Sequence, residues 1–381
     1  MNQQYKDVFL SVMRTAFWKV PLELPVGFRD WKYILKISQS QALISHLADV
    51  MLSDSSIAAG LSPKGVERLQ DIMMGNMAMH ASANNTLILV VNTLRQNGIE
   101  PVLLKGQGLA SYYPVPQLRS CGDIDLYVGC ENYVKAYDVL ASIATDIDSR
   151  ESLQGDGKHF HVFVGKTILE IHRYTEVFNS RSENRIYQEF AADGLSKNLV
   201  PVELPHVTVN TPADTYNVYY IFSHLFHHVL SSGVVIRQLY DLACLLHKKS
   251  PNVDLERLRD ILVRTDVMKP WKIIGCALVD VLGLPQDEFP FYDPSFRAKG
   301  VKLVDFILSE EYFIAGNPLA RVYERSFLYE KLFSLRCEFR RLFKLMPIFP
   351  YRVLRHMIST IIFGSAKAFK ELIKKRKAAK R

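Results

Sequence analysis

Asp123 and Asp125 stand one residue apart in the run Ser120-Cys121-Gly122-Asp123-Ile124-Asp125-Leu126-Tyr127-Val128. Alternation along a strand places both carboxylates on one face. Two like charges that close repel each other unless a cation lies between them. Hard carboxylate oxygens suit Mg²⁺, which keeps waters and takes its other ligands from substrate phosphates. Upstream comes Leu103-Leu104-Lys105-Gly106-Gln107-Gly108. A glycine-containing strand end that opens into a helix offers backbone N–H groups to phosphates, and Lys105 adds a point charge beside them. The two runs together read as a metal–nucleotide site.

The elements that must position these residues follow from periodicity. Residues 1–62 read as helical, with Leu43, Ile44, Leu47, Val50 and Met51 at helical spacing. Val66 to Asn97 reads as one long helix ended by Gly98, as glycine commonly ends helices. Ile99 to Lys105 is predicted to be a buried strand, Leu109 to Tyr113 a helical turn or two, and Ile124 to Val128 the second strand. A helix over Asn132–Ala144 and a hairpin around Gly165-Lys166 complete a small α/β unit with a mixed sheet. Helices return after Pro212: Ala213–Ser231, Val234–Lys248, Leu255–Leu262 and Pro270–Leu282. The fold class is therefore α+β, divided into a helical segment (1–62), an α/β core (63–205), a helical domain (206–334) and a basic C-terminal segment (335–381).

The 381 residues are enough for two or three packed units. With 48% hydrophobic and 23% charged residues, the composition is that of an ordinary globular protein. Apolar runs fall short of the roughly 18 residues that a membrane helix needs, and no signal peptide is expected at the N-terminus. Five scattered cysteines without a C-x-x-C pair exclude a disulfide framework or thiolate zinc site and suggest a reducing, cytoplasmic compartment. From Leu335 to Arg381, 14 basic residues against two acidic ones give a local charge of +12, which leaves −4 for the rest of a chain of net +8. The end of this segment interleaves Ile362, Phe363, Phe369, Leu372 and Ile373 with lysines. It reads either as a solubilising end or as a surface for RNA or an anionic membrane.

The motifs resemble the DNA polymerase β-like nucleotidyltransferase superfamily. Within it they are similar to a bacterial family of uncharacterised nucleotidyltransferases with an L-K-G-x-x-L…R…D-x-D-L-x-V…E-x-H pattern. Here that pattern is Leu104-Lys105-Gly106-Gln107-Gly108-Leu109, Arg119, Asp123-Ile124-Asp125-Leu126-Tyr127-Val128 and Glu170-Ile171-His172. A later helical H…H…D-L segment is matched by His224, His227, His228 and Arg237 to Leu242. The diagnostic residues span about 65–250. The resemblance implies a glycine turn (Gly106, Gly108) for the triphosphate, Asp123 and Asp125 for two divalent ions, and Glu170 to assist the acceptor hydroxyl or complete the metal site. It also implies that Arg237 and Asp241 face the nucleotide. The family turn is usually Gly-Ser or Gly-Gly, so Gly106-Gln107-Gly108 departs from it.

The expected activity is Mg²⁺-dependent transfer of a nucleoside monophosphate from an NTP (ATP among them) to an acceptor hydroxyl on a small molecule, protein or RNA. The reacting charge grows on the entering and leaving oxygens, which two bridged ions stabilise together. The alternative is a non-catalytic nucleotide-binding or scaffold module docked through the basic tail. Lys105 and Arg119 are assigned to the nucleotide side, Arg119 either orienting the aspartates or pairing with Asp123 or a main-chain carbonyl. Glu170 alternates with Leu169 and Ile171 and so faces away from them with His172. His224 and His228 lie four apart, but without H-E-x-x-H they are expected to be core or capping histidines. Arg237 and Asp241 have the spacing of a surface i,i+4 pair. A third reading, a histidine-based metal hydrolase, draws on His159, His161, His172, His224 and His228.

Overall fold

The computed structural model describes residues 2–154, 157–178, 180–309 and 327–360. Four helices come first: α1 (Gln3–Trp18), α2 (Trp31–Ser40), α3 (Ile44–Ser53) and the single turn α4 (Ser55–Ala58). The long helix α5 (Pro63–Gln96) starts three residues before the expected Val66: the Ser62 hydroxyl accepts the Gly65 N–H, and Pro63 occupies a first-turn position that needs no donor. It ends on Gly98 at φ 70°, which lets the Ile99 N–H return to the Leu94 carbonyl.

A seven-stranded mixed sheet follows, built from β1 (Val102–Leu103), β2 (Ile124–Tyr127), β3 (Asp146–Ile147), β4 (His159–Val164), β5 (Thr167–His172), β6 (Val200–Leu204) and β7 (Val207–Thr211). Its spatial order is β3-β4-β5-β2-β1-β7-β6. The first strand is shorter than the Ile99–Lys105 run, because Pro101 lacks a donor and Gly106 turns the chain at φ 51°. The β6–β7 hairpin extends the sheet to Thr211, so a boundary at 205 falls inside that hairpin.

Between the strands lie the one-turn α6 (Gln107–Ala110), α7 (Gly129–Leu140) and α8 (Arg181–Gly194). The helical layer comprises α9 (Asp214–Leu230), α10 (Ile236–Lys249), α11 (Leu255–Arg264), α12 (Met268–Cys276), α13 (Arg297–Ile307) and α14 (Phe327–Leu345).

Alternation separates the faces of the sheet. Phe160, Leu169, Ile171, Ile124 and Leu126 pack with Leu87 and Val91 of α5 and Tyr133 of α7. The polar residues between them face the opposite way. A second apolar core joins α1 (Phe9, Met13) to α10 (Tyr240), α12 (Trp271) and α13 (Leu303). Arg14 donates to the Val281 carbonyl at 3.0 and 2.7 Å, and the Trp18 indole donates to the Leu282 carbonyl at 2.6 Å. The N-terminal helices thus share a core with the helices that follow the sheet.

The basic C-terminal segment divides in two. Arg341 donates to the Leu230 carbonyl at 2.9 Å, and Arg355 pairs with both oxygens of Glu183 at 2.6 and 2.7 Å. These arginines serve the body of the protein. The reading of residues 335–381 as an RNA or membrane surface rests in large part on residues 361–381, which lie outside those described. None of the described helices is long and apolar enough to cross a membrane.

His46 of α3 is 3% exposed and stacked on Phe17 at 4.8 Å, and neither ring nitrogen has a hydrogen-bond partner among the described residues. Burial, then Arg119, pushes its pKa down to about 3. The folded ring stays neutral while the unfolded ring takes a proton below about pH 6.5. The stability it contributes is complete above that pH and is lost as pH falls towards 3. In urea titrations between about pH 6 and 4, His46→Leu should lower the slope of unfolding free energy against pH by about 1.4 kcal/mol per pH unit. Equal slopes in both proteins would contradict this burial account.

Candidate active site

The strand register assembles the site. Asp125 of β2 pairs with Glu170 of β5, which pairs with His161 of β4; beside that row, His172 of β5 pairs with His159 of β4. All five side chains belong to the polar face. The Leu104 N–H donates to the Asp125 carbonyl at 3.0 Å and ties the glycine turn to the aspartate strand. Over this face, α9 and α10 close a cleft of about 320 Å³ lined by Lys105, Gly106, Asp123, Asp125, Lys158, His159, Glu170, His224, His228 and Arg237, among others.

Asp125 is 1% exposed and meets Lys105 Nζ at 2.9 Å and His172 Nε2 at 3.0 Å. Burial alone would raise its carboxyl pKa. Lys105 and His172 outweigh burial and hold it far below the usual carboxylate range. The same contacts raise Lys105 against its own burial.

His172 Nδ1 faces the Tyr174 carbonyl at 3.3 Å. Its partners, the Tyr174 carbonyl and the Asp125 and Glu170 carboxylates, only accept hydrogen bonds, which favours the protonated ring. In agreement, the hydrogen bonds to Asp125 and Glu170 raise His172 above its ordinary pKa despite burial. Glu170 lies 3.3 Å from His172 Nε2, and that bond lowers its carboxyl against burial.

Asp123 stands exposed at the start of β2. Burial of part of its carboxyl raises its pKa, and Asp125 and Glu170 raise it further against the pull of Lys105. Lys105 and His172 therefore pair with Asp125 and Glu170, and Asp123 is the one of the three carboxylates whose pKa is raised. That donor set of hard oxygens fits a divalent ion.

The glycine turn divides its two glycines. Gly106 lines the cleft at φ 51° and ψ −115°, and a Cβ there would meet the Asp123 carbonyl at 3.2 Å. Gly108 is buried behind it, with its N–H bonded to the Lys105 carbonyl at 2.9 Å and Leu103 and Thr211 against its α-carbon. Gly108 was expected at the phosphates, but it stands behind the cleft lining and its N–H is engaged within the turn. Gln107, the departure from the family turn, is also buried. It donates to Asn84 at 2.6 Å and accepts from the Cys121 thiol at 3.0 Å, which anchors the turn to α5.

Arg119 pairs with neither aspartate of β2. Its Nε and Nη2 reach Asp241 at 2.7 and 3.1 Å. Tyr113 and Arg237 complete the Asp241 carboxylate at 2.7 and 3.0 Å. Asp241 is 5% exposed, so it is the centre of a buried network and not half of a surface pair. Burial would raise Asp241, but Arg119 and then Arg237 hold it low.

His224 and His228 also depart from the core or capping reading, since both line the cleft. His224 Nδ1 meets Glu176 at 2.9 Å, and His224 Nε2 meets His228 Nε2 at 3.1 Å. Burial first, then His224, holds His228 at a pKa of about 3. Sequence reasoning missed Glu176 and Lys158, which flank short, irregular stretches with no periodicity. The four-residue spacing of the histidines was the available signal for that wall.

Removing one member of the buried Arg119–Asp241 pair leaves the other unpaired in the core, at a typical cost of about 3–5 kcal/mol. Asp241→Ala should lose about that much in urea denaturation. A loss below about 1 kcal/mol would show that Arg119 finds solvent instead.

No curated protein and no solved structure matches this chain. The family model described as uncharacterised nucleotidyltransferase matches residues 28–278. This match reaches well into the helices on both sides of the sheet, beyond the stretch from 65 to 250 that holds the diagnostic motifs. By that match and by the motif residues now seen on one sheet face, the chain belongs to the uncharacterised nucleotidyltransferase family.

Proposed function

We propose that the protein transfers a nucleoside monophosphate from an NTP to an acceptor hydroxyl, with Mg²⁺ held by Asp123, Asp125 and Glu170. The observation that supports this most is the gathering of three carboxylates on the polar face of β2 and β5, beside the Gly106 turn, with incomplete positive compensation. Mg²⁺, when bound, supplies charge neutralisation at the triphosphate and at the leaving pyrophosphate.

The chain's own residues do the rest. Gly106 lets the backbone approach the phosphates where a side chain would not fit. Lys105, Lys158 and Arg237 line the same cleft and provide positive charge. Arg119 and Asp241, at the edge of that cleft, hold Arg237 in place. In the reaction, the acceptor oxygen bonds to the α-phosphorus and the bond from that phosphorus to the β-phosphate oxygen breaks. The acceptor proton passes to the Glu170 carboxylate.

Calorimetric titration with each of the four NTPs, with and without Mg²⁺, tests this reading. Asp123 is exposed and Asp123→Ala should keep the fold, whereas Asp125→Ala strands Lys105 and His172. Mg²⁺-dependent binding should appear in the wild type and weaken at least about tenfold in Asp123→Ala. Gly106→Ala, strained at positive φ and crowded by the Asp123 carbonyl, should weaken nucleotide binding by a comparable factor. Equal binding in wild type and Asp123→Ala, or none to any NTP, would overturn the assignment.

A further inference from the structure

The outer edge of the polar face holds a second constellation, whose two histidines nucleotidyl transfer does not use. His159 and His161 of β4 stand two residues apart on one face and meet Glu170 across the strand pair. His159 Nδ1 lies 3.5 Å from Glu170 Oε2, and His161 Nε2 lies 3.7 Å from Glu170 Oε1. Both separations are too long for good hydrogen bonds. They match the edge of a coordination tetrahedron instead: ligand atoms about 2.1 Å from one metal stand about 3.4 Å apart. All three ligand atoms lie within 4.8 Å of one another.

Two further observations point the same way. His159 Nδ1 is a buried nitrogen with no hydrogen-bond partner among the described residues. His161 is oriented from behind: its Nδ1 meets Asp148 Oδ2 at 2.9 Å, and the same oxygen accepts the His161 backbone N–H at 2.8 Å. A carboxylate that fixes the far nitrogen of a histidine is the usual outer support of a metal-bound imidazole.

We infer that His159, His161 and Glu170 form a binding site for a divalent transition metal such as Zn²⁺ or Co²⁺. Imidazole nitrogens favour these ions, whereas Mg²⁺ prefers an all-oxygen set. Three protein ligands leave a fourth position for water or a substrate oxygen. Two of the three, His159 and Glu170, line the cleft. Glu170 is thereby shared between this site and the carboxylate cluster around Asp125. The inference stands without the nucleotidyl transfer reading, because it needs only these side chains.

The test uses the full-length protein stripped with a chelator and titrated with Co²⁺ alone, followed by visible absorption, with folding checked by circular dichroism. One Co²⁺ should bind with an intense tetrahedral-type spectrum and resist an excess of Mg²⁺. His159→Ala and His161→Ala should weaken binding about 100-fold or more, and Asp148→Asn about tenfold. Asp123→Ala should bind Co²⁺ normally even where it loses Mg²⁺-nucleotide binding, which separates the two sites. Unchanged Co²⁺ affinity in both histidine variants would overturn the inference. So would loss of binding in His224→Ala with His161→Ala intact, which would put the metal on the helical wall.

Discussion

A carboxylate that water hardly reaches stays ionised only beside positive charge. Asp125 meets that condition through Lys105 and through His172, whose pKa the carboxylates raise. Much of the architecture follows from it. Lys105 must sit at the end of β1 and His172 at the end of β5, so the strands that flank β2 are fixed in register by charge as well as by their ladders. The glycine turn is held against the same strand through the Asp125 carbonyl. Neutralising Asp125 from within leaves the negative potential to Asp123 and Glu170, at the open side where a ligand can enter.

The wall facing this sheet is assembled from distant parts of the chain. Arg119 lies between the turn and β2, yet its partner is Asp241 of α10. That pair cannot form unless α10 is seated over the sheet, so a desolvated charge ties the helical layer to the α/β core. The same carboxylate holds Arg237 at 3.0 Å, with its guanidinium directed to the cleft lining. The N-terminal helices brace α10 from the other side, where Phe17 stacks on Tyr240 at 3.8 Å. The helices before and after the sheet therefore act as one support for a site whose chemistry lies on the strands.

The polar face was legible in the sequence because period-two alternation needs only local information. Leu169 and Ile171 turn inward, so Glu170 and His172 turn outward, as observed. The helix end at Gly98 was legible from local information too, whereas the Ser62 cap lay in what read as a break. The β6–β7 hairpin was not. Its two-residue turn, Pro205-His206, holds His206 at φ 66° without a glycine to announce it. The partners of Arg119, Gln107 and Glu176 were also hidden. Each is satisfied by a residue more than 20 positions away, and a single sequence carries no sign of such pairings.

The C-terminal arginines have a role that net charge alone does not suggest. Leu230 is the last residue of α9, and its carbonyl, left without an intrahelical donor, accepts from Arg341. A cation there also suits the negative end of the helix dipole. Arg352 bonds the Thr265 carbonyl just beyond α11, and with Arg355 it pairs with Glu183 in the first turn of α8. Three helices are thus clamped from behind by one segment. Because α9 carries His224 to Glu176 and to the cleft, this clamp sets how far the helical wall stands from the carboxylates of the sheet. The clamp formed by Arg341, Arg352 and Arg355 is therefore structural. It acts on the site through the placement of α9, and it does so without contributing a side chain to the cleft lining.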